Sequence, residues 1–222
     1  GRDRGLSELP IQAVAGEEPA PLSFAQERLW LLEELGLGDA AAYNIPLALE
    51  LVGFLDVPGL AWSLAEVVRR HESLRTVFRR LGGVPVQQVL PFSGLELPTV
   101  DLSGLLEIDR RTALEGLARG EEIRRFALAA GPPQRQPLVR LEPRRHALLL
   151  TQHHIVSDGW SLGVLLHEVE VLYRSFHVAH RSVSPLPPLE VQYRDYAFWE
   201  KDVLAGERLE RLLGYWRGAL ES

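Results

Sequence analysis

The apolar positions change period several times along the chain. Behind Ser23, a residue suited to capping, Phe24, Leu29, Trp30, Leu32 and Leu35 recur at helical spacing and predict a first helix. Asn44 to Leu55 alternates and predicts a strand. Pro58 to Arg70 returns to helical spacing, with Leu60, Leu64, Val67 and Val68 inward and Glu66, Arg69 and Arg70 outward. Leu74 to Leu81 and Val84 to Leu90 predict a hairpin turned at Gly82-Gly83. A short strand follows at Leu95 to Val100, then a helix from Leu105 to about Leu128, weakened at Gly116 and Gly120. Leu138 to Leu141 and His146 to Gln152 predict strands. Leu162 to about His177 predicts a helix with Leu162, Leu165, Val169, Leu172 and Phe176 on one face. Two more helices are expected at Val191 to Leu204 and Glu207 to Leu220. This order predicts an α+β fold, a mixed sheet covered by helices, rather than a doubly wound parallel sheet.

The ends of that pattern suggest boundaries. Residues 1–21, rich in Gly, Pro, Glu and Ala, read as an inter-domain linker. Residues 22–181 form the main body, and 182–222 begin with a Pro/Ser-rich linker and continue into the last two helices. With 46% hydrophobic residues among 222, the chain can bury a substantial core. Its net charge of −6 supplies no positive face for phosphates, so nucleic acid is not an expected partner. No apolar run approaches membrane-spanning length, and a cytoplasmic location is the default. The absence of cysteine excludes disulfides and thiol nucleophiles.

The candidate chemistry lies between the strand ending at Gln152 and the helix beginning at Leu162. Gln152-His153-His154-Ile155-Val156-Ser157-Asp158-Gly159-Trp160-Ser161 delivers two imidazoles to a turn. Histidine can take or hold a proton near neutrality, provided something fixes its tautomer. Asp158 could orient a histidine or pair with a distant arginine, while Gly159 permits a tight turn. A structural reading stands beside this one: Asp-Gly is common turn chemistry, Asp158 could cap the following helix, and paired histidines are often core residues. Gly159-Trp160-Ser161-Leu162-Gly163 also fits a nucleophile elbow. The later histidines His167, His177 and His180 all lie on or just after the same helix, so no triad can close on Ser161. His177 and His180 lack an evident third ligand, and no metal site is expected.

Four segments in order carry a resemblance: Ser23 to Trp30, Arg70 to Phe78, His153 to Ser161, and Tyr193 to Trp199. They resemble the first four core motifs of condensation domains of non-ribosomal peptide synthetases. The resemblance implies a chloramphenicol acetyltransferase-like fold of two lobes around a tunnel. The chain would then be the N-terminal, donor-side lobe (22–181) plus the crossover linker and first helices, with a C-terminal lobe missing. An upstream donor and a downstream acceptor peptidyl carrier protein would present thioesters on 4'-phosphopantetheine, beside an adenylation domain. The domain itself would bind no cofactor, and the fragment alone would be inactive. Alternatives are a coenzyme A-dependent acyltransferase of the same fold and a non-catalytic docking module.

The resemblance also implies roles. His154 is the catalytic candidate, expected to sit desolvated at the tunnel floor, with His153, Asp158 and Gly159 completing the motif. Asp158 is expected to form a salt bridge with Arg70, Arg75 being a weaker partner. Ser157, Trp160, Ser161, Tyr193, Asp195 and Trp199 would support the site. Ser23 to Trp30 and Ala41 to Pro46 look most like members that join an L-donor to an L-acceptor. Arg125-Phe126-Ala127-Leu128, Pro133 and Pro137 depart from the family pattern.

Overall fold

The computed structural model describes residues 10–16, 18–36, 40–179 and 183–220. Its strands are β1 (Ala20–Pro21), β2 (Asn44–Val52), β3 (Thr76–Leu81), β4 (Val84–Val89), β5 (Thr99–Asp101), β6 (Gln134–Arg135), β7 (Leu138–Glu142) and β8 (Arg145–His153). Its helices are α1 (Phe24–Glu34), α2 (Val57–Arg70), α3 (Glu107–Ile123), α4 (Gly159–Ala179), α5 (Tyr193–Val203) and α6 (Gly206–Leu220). The α+β reading holds. One sheet runs β1-β4-β3; the other runs β2-β8-β7-β5, with β6 also paired to β8. Among the described residues only β5 and β7 pair in parallel, which makes the larger sheet mixed.

Strand β8 is the axis of the larger sheet. It is paired along its full length with β2, from Asn44 opposite His153 to Val52 opposite Arg145. On one face Leu148 and Leu150 meet Leu60, Leu64, Val67 and Val68 of α2 and Leu165 and Leu172 of α4. On the other, Ala147 and Leu149 meet Ala113, Leu114 and Leu117 of α3. A strand covered on both faces reads as a continuous apolar run, which is why Ala147 to Leu150 shows no alternation.

Several elements differ from expectation. Helix α1 buries Gln26 and Trp30, in line with Leu22 just ahead of its cap, whereas Phe24 and Leu35 are exposed. Gln26 tolerates the core because its amide is partnered: Gln87 Nε2 donates to its Oε1 at 3.1 Å, and its Nε2 donates to the Ile155 carbonyl. It also closes a reciprocal cap with Ser23. Glu72–Arg75 is a 3-10 turn, so β3 starts at Thr76 rather than Leu74. Leu95 and Leu97 pack into the core without joining a ladder, which leaves β5 shorter and later than predicted. Ala20 and Pro21, read as linker, pair with Gln87 and Val86 of β4. The neighbouring Gly16 and Glu18 carbonyls accept from Arg194 of α5, which holds this stretch against the body.

Glu66 and Arg70, expected outward on α2, are buried. The Arg70 side chain does not pair with Asp158. It forms a two-pronged salt bridge with Glu168 of α4, Nε to Oε2 at 3.2 Å and Nη2 to Oε1 at 3.3 Å, with side-chain exposures of only 6% and 9%. His71 Nε2 lies 2.9 Å from the same Oε2. Arg75 is also turned elsewhere, donating to the Leu90 carbonyl and facing Glu72. Burial raises the Glu168 pKa, but the hydrogen bonds from Arg70 and His71 outweigh it and hold the carboxyl below its ordinary range. Removing one partner of a buried pair strands the other and costs about 3–5 kcal/mol, whereas replacing both by apolar residues is often neutral. Glu168→Ala should therefore lower unfolding stability by several kcal/mol in urea titration, and Arg70→Met with Glu168→Leu should recover most of it. Equal loss in the single and double variants would contradict the pairing.

Candidate active site

The end of β8 sets the two histidines in opposite environments. The His153 N–H donates to the Pro133 carbonyl at 2.9 Å, and the His154 N–H to the Tyr43 carbonyl at 2.8 Å. The chain is thus pinned from both flanking segments, and consecutive side chains leave on opposite sides. His153 is 1% exposed and lies between Tyr43 and Phe126, the latter edge-on with ring centroids 6.0 Å apart. Its Nδ1 accepts from the Ile155 N–H at 3.1 Å, which places the proton of the neutral ring on Nε2. Burial, and secondarily the neighbouring His154, push its pKa down from 6.5 to about 4. The desolvation expected of His154 therefore falls on His153.

His154 is exposed. It lines an open cleft of about 660 Å³ whose walls come from α1, the 3-10 turn after α2, the start of α4 and the segment leading into α5. Gln152, Ser157, Asp158, Trp160, Ser161 and Tyr193 line the same cleft. Residues of the segments that depart from the family pattern have local roles here. Phe126 packs on the His153 ring, Pro133 accepts its N–H, and Pro137 accepts the Leu149 N–H of β8.

Asp158 caps α4. Its Oδ1 accepts from the Ser161 backbone at 2.8 Å and from the Ser161 hydroxyl at 2.7 Å. Those hydrogen bonds, backbone first, hold its pKa below the ordinary carboxylate range, and His154 adds a smaller contribution. Removing such a cap costs about 1 kcal/mol, less than the roughly 3–5 kcal/mol lost when one partner of a buried ion pair is removed. Gly159 makes no tight turn. It is the first residue of α4, its φ is not positive, and a Cβ there would meet nothing within 4 Å. Trp160 is exposed at the cleft mouth. The Ser161 hydroxyl, engaged as a donor to Asp158, is not presented as a nucleophile.

The Tyr193 to Trp199 segment is tied to the N-terminal stretch. The Tyr193 hydroxyl lies 3.0 Å from Ser23 Oγ. Asp195 accepts from the Val14 and Gln192 backbones, and Trp199 packs against Tyr196. Gln152, Glu168 and Gln192 were assigned no role from the sequence. The Gln192 side chain ties α5 to α2, donating to the Arg70 carbonyl and accepting from the Glu72 N–H. Glu168 carried a signal, since it sits at helical spacing between Leu165 and Leu172, an acid inside an apolar stripe. Among the described residues no cluster of three or more His, Asp or Glu could hold a metal ion, and no helix is long and apolar enough to cross a membrane. His180, paired with His177 in the sequence reading, lies outside the described residues.

A family model described as Condensation domain matches residues 16–222. The chain belongs to the condensation domain family. A linear gramicidin synthase protein of Brevibacillus parabrevis is 41% identical over 214 residues, which is 96% of this chain and 3% of that protein. Malpinin synthetase of Mortierella alpina is 42% identical over 214 residues, again 96% and 3%. The condensation segment thus spans about 3% of the length of these relatives. Among solved structures, the X-domain from teicoplanin biosynthesis aligns with TM-score 0.81 and 30% identity over 95% of this chain and 45% of its own. The first condensation domain of the calcium-dependent antibiotic synthetase, in complex with substrate analogue 2a, aligns with TM-score 0.75 and 24% identity over 92% and 48%. The fold is the chloramphenicol acetyltransferase-like one expected for the family.

The pKa of His153 makes a stability prediction for this condensation segment. Its folded pKa lies below its unfolded value, so the unfolded state binds the proton first as pH falls. Stability should be complete above about pH 6.5 and decline by about 3 kcal/mol as pH falls to about 4. Denaturant titrations across that window should show a steeper slope in the wild type than in His153→Leu, where only the depressed carboxyls such as Glu168 still contribute. An identical slope in both would contradict the burial of His153.

Proposed function

We propose that this segment serves amide formation between two carrier-bound substrates. The observation that carries the proposal is the split histidine pair: His153 buried and locked as a neutral ring, His154 exposed in the cleft. The donor is an aminoacyl or peptidyl thioester on the 4'-phosphopantetheine arm of an upstream carrier protein. The acceptor is the amine of an aminoacyl thioester on a downstream carrier, with an adenylation domain supplying its residue. The acceptor nitrogen attacks the donor carbonyl carbon, the carbon–sulfur bond breaks, and the carrier leaves as a thiol. His154 holds the amine on the carbonyl, takes the proton that the nitrogen loses and passes it to the departing sulfur. A thioester is already activated, so positioning carries much of the rate. The segments Ser23 to Trp30 and Ala41 to Pro46 support an L-donor and an L-acceptor.

A second lobe is required to close the cleft into a tunnel. Both of these solved neighbours have more than half their length beyond the part this chain covers. Helix α6 buries no residue and leaves Tyr215, Trp216 and Leu220 exposed, as suits a helix awaiting a partner surface. A docking role is the second reading, favoured by the likeness to the teicoplanin X-domain, which has also been solved in complex with OxyB. In the complete two-lobed domain, His154→Ala should slow single-turnover amide formation by about 10²–10⁴-fold while carrier binding is retained. The 222 residues alone should form no amide. An unchanged single-turnover rate in His154→Ala would remove His154 from the chemistry. Carrier or tailoring-enzyme binding without turnover in the wild-type domain would favour docking.

A further inference from the structure

The cleft contains a second polar feature that the histidine chemistry does not use. Gln152 is 0% exposed, yet among the described residues neither its Oε1 nor its Nε2 has a hydrogen-bond partner. It lies one residue beyond Thr151 on β8, on the face of Leu148 and Leu150, where the apolar core ends and the cleft begins. Ser157 is 6% exposed, lines the same cleft, and likewise leaves its Oγ without a partner. A buried carboxamide left unpaired on both sides is unfavourable, and an apolar side chain of the same shape would serve the fold better. A carboxamide offers one acceptor and a pair of donors in a plane, the complement of a secondary amide.

We infer that Gln152 is a positioning residue that receives a secondary amide of the substrate, Oε1 accepting its N–H and Nε2 donating to its carbonyl, with the Ser157 hydroxyl alongside. The inference rests on the reading that this cleft takes carrier-bound acyl groups. Such a group carries secondary amides in two places, the pantetheine arm and the peptide of a peptidyl donor. Either would be held beside His154, which would fix the distance between the thioester carbonyl and the imidazole. A competing structural role is also visible. Gln134 stands opposite Gln152 in the β6–β8 register, and its Nε2 is unpaired as well. A water shared by the two glutamines would satisfy the fold without substrate.

The test uses the complete two-lobed domain and stable thioether analogues of a peptidyl pantetheine, in which each amide in turn is replaced by an ester. An ester keeps the carbonyl and loses the N–H, and a site built to pair with that N–H rejects the analogue. In the wild type, one ester position should weaken binding by about 10-fold or more, and which position it is identifies arm or peptide as the source. In Gln152→Leu that discrimination should vanish, the all-amide analogue should bind about 10-fold more weakly, and the melting temperature should be kept or raised. Turnover should show a raised KM for the donor. The same ester penalty in wild type and Gln152→Leu overturns the inference, as does a Gln152→Leu variant that loses stability while keeping the discrimination. Amide discrimination through Gln152 in a domain whose turnover survives His154→Ala would instead sink the proposed catalytic role and leave the amide site standing.

Discussion

The structure depends on how strand β8 ends. Its backbone donors at His153 and His154 are taken by Pro133 on one side and Tyr43 on the other, so the strand cannot slip or fray at that point. A one-residue slip would exchange the environments of the two rings. With the register held, His153 enters the space between Tyr43 and Phe126, and His154 enters the cleft. The inner ring then stabilises the turn by accepting the Ile155 N–H. One imidazole is buried and the other exposed because the pleat alternates and the ladder is pinned.

Charge pairing reinforces this from a distance. Arg70, His71 and Glu168 join the end of α2 to the middle of α4, and Gln192 brings the start of α5 to the same corner. The histidine loop leads directly into α4, so the orientation of that helix sets where the loop sits. A buried ion pair holds geometry through the penalty for breaking it rather than through its net contribution. Asp158 makes a smaller, local contribution as the cap of α4, which ties the loop to the first turn of the helix.

Much of this was legible in the chain. The Gly82-Gly83 turn, the apolar face of α2, the buried run into His153 and the four ordered motifs led to the fold and to the histidine loop. Most of what was hidden concerns partners: local pattern does not report which group satisfies a polar residue in a core position. Gln26 rotates α1 because Gln87 and Ile155 are there to satisfy it. Arg70 chooses Glu168 over Asp158 because α4 crosses α2 at that point, and no local pattern reports where helices cross. Gly159 suggested a turn, but its backbone is helical, and the reason for glycine lies outside local conformation. Residues 20–21 read as linker by composition, and their pairing with β4 is a long-range contact.

The central claim is that a buried, neutral His153 locks the loop that presents His154. The most direct measurement is the nitrogen chemical shifts of the His153 ring in ¹⁵N-histidine-labelled protein, followed by long-range ¹H–¹⁵N correlation at about pH 5.5, below the ordinary histidine pKa. The account predicts a neutral ring with an unprotonated Nδ1 and the proton on Nε2. An imidazolium at that pH, or a proton on Nδ1, would contradict it.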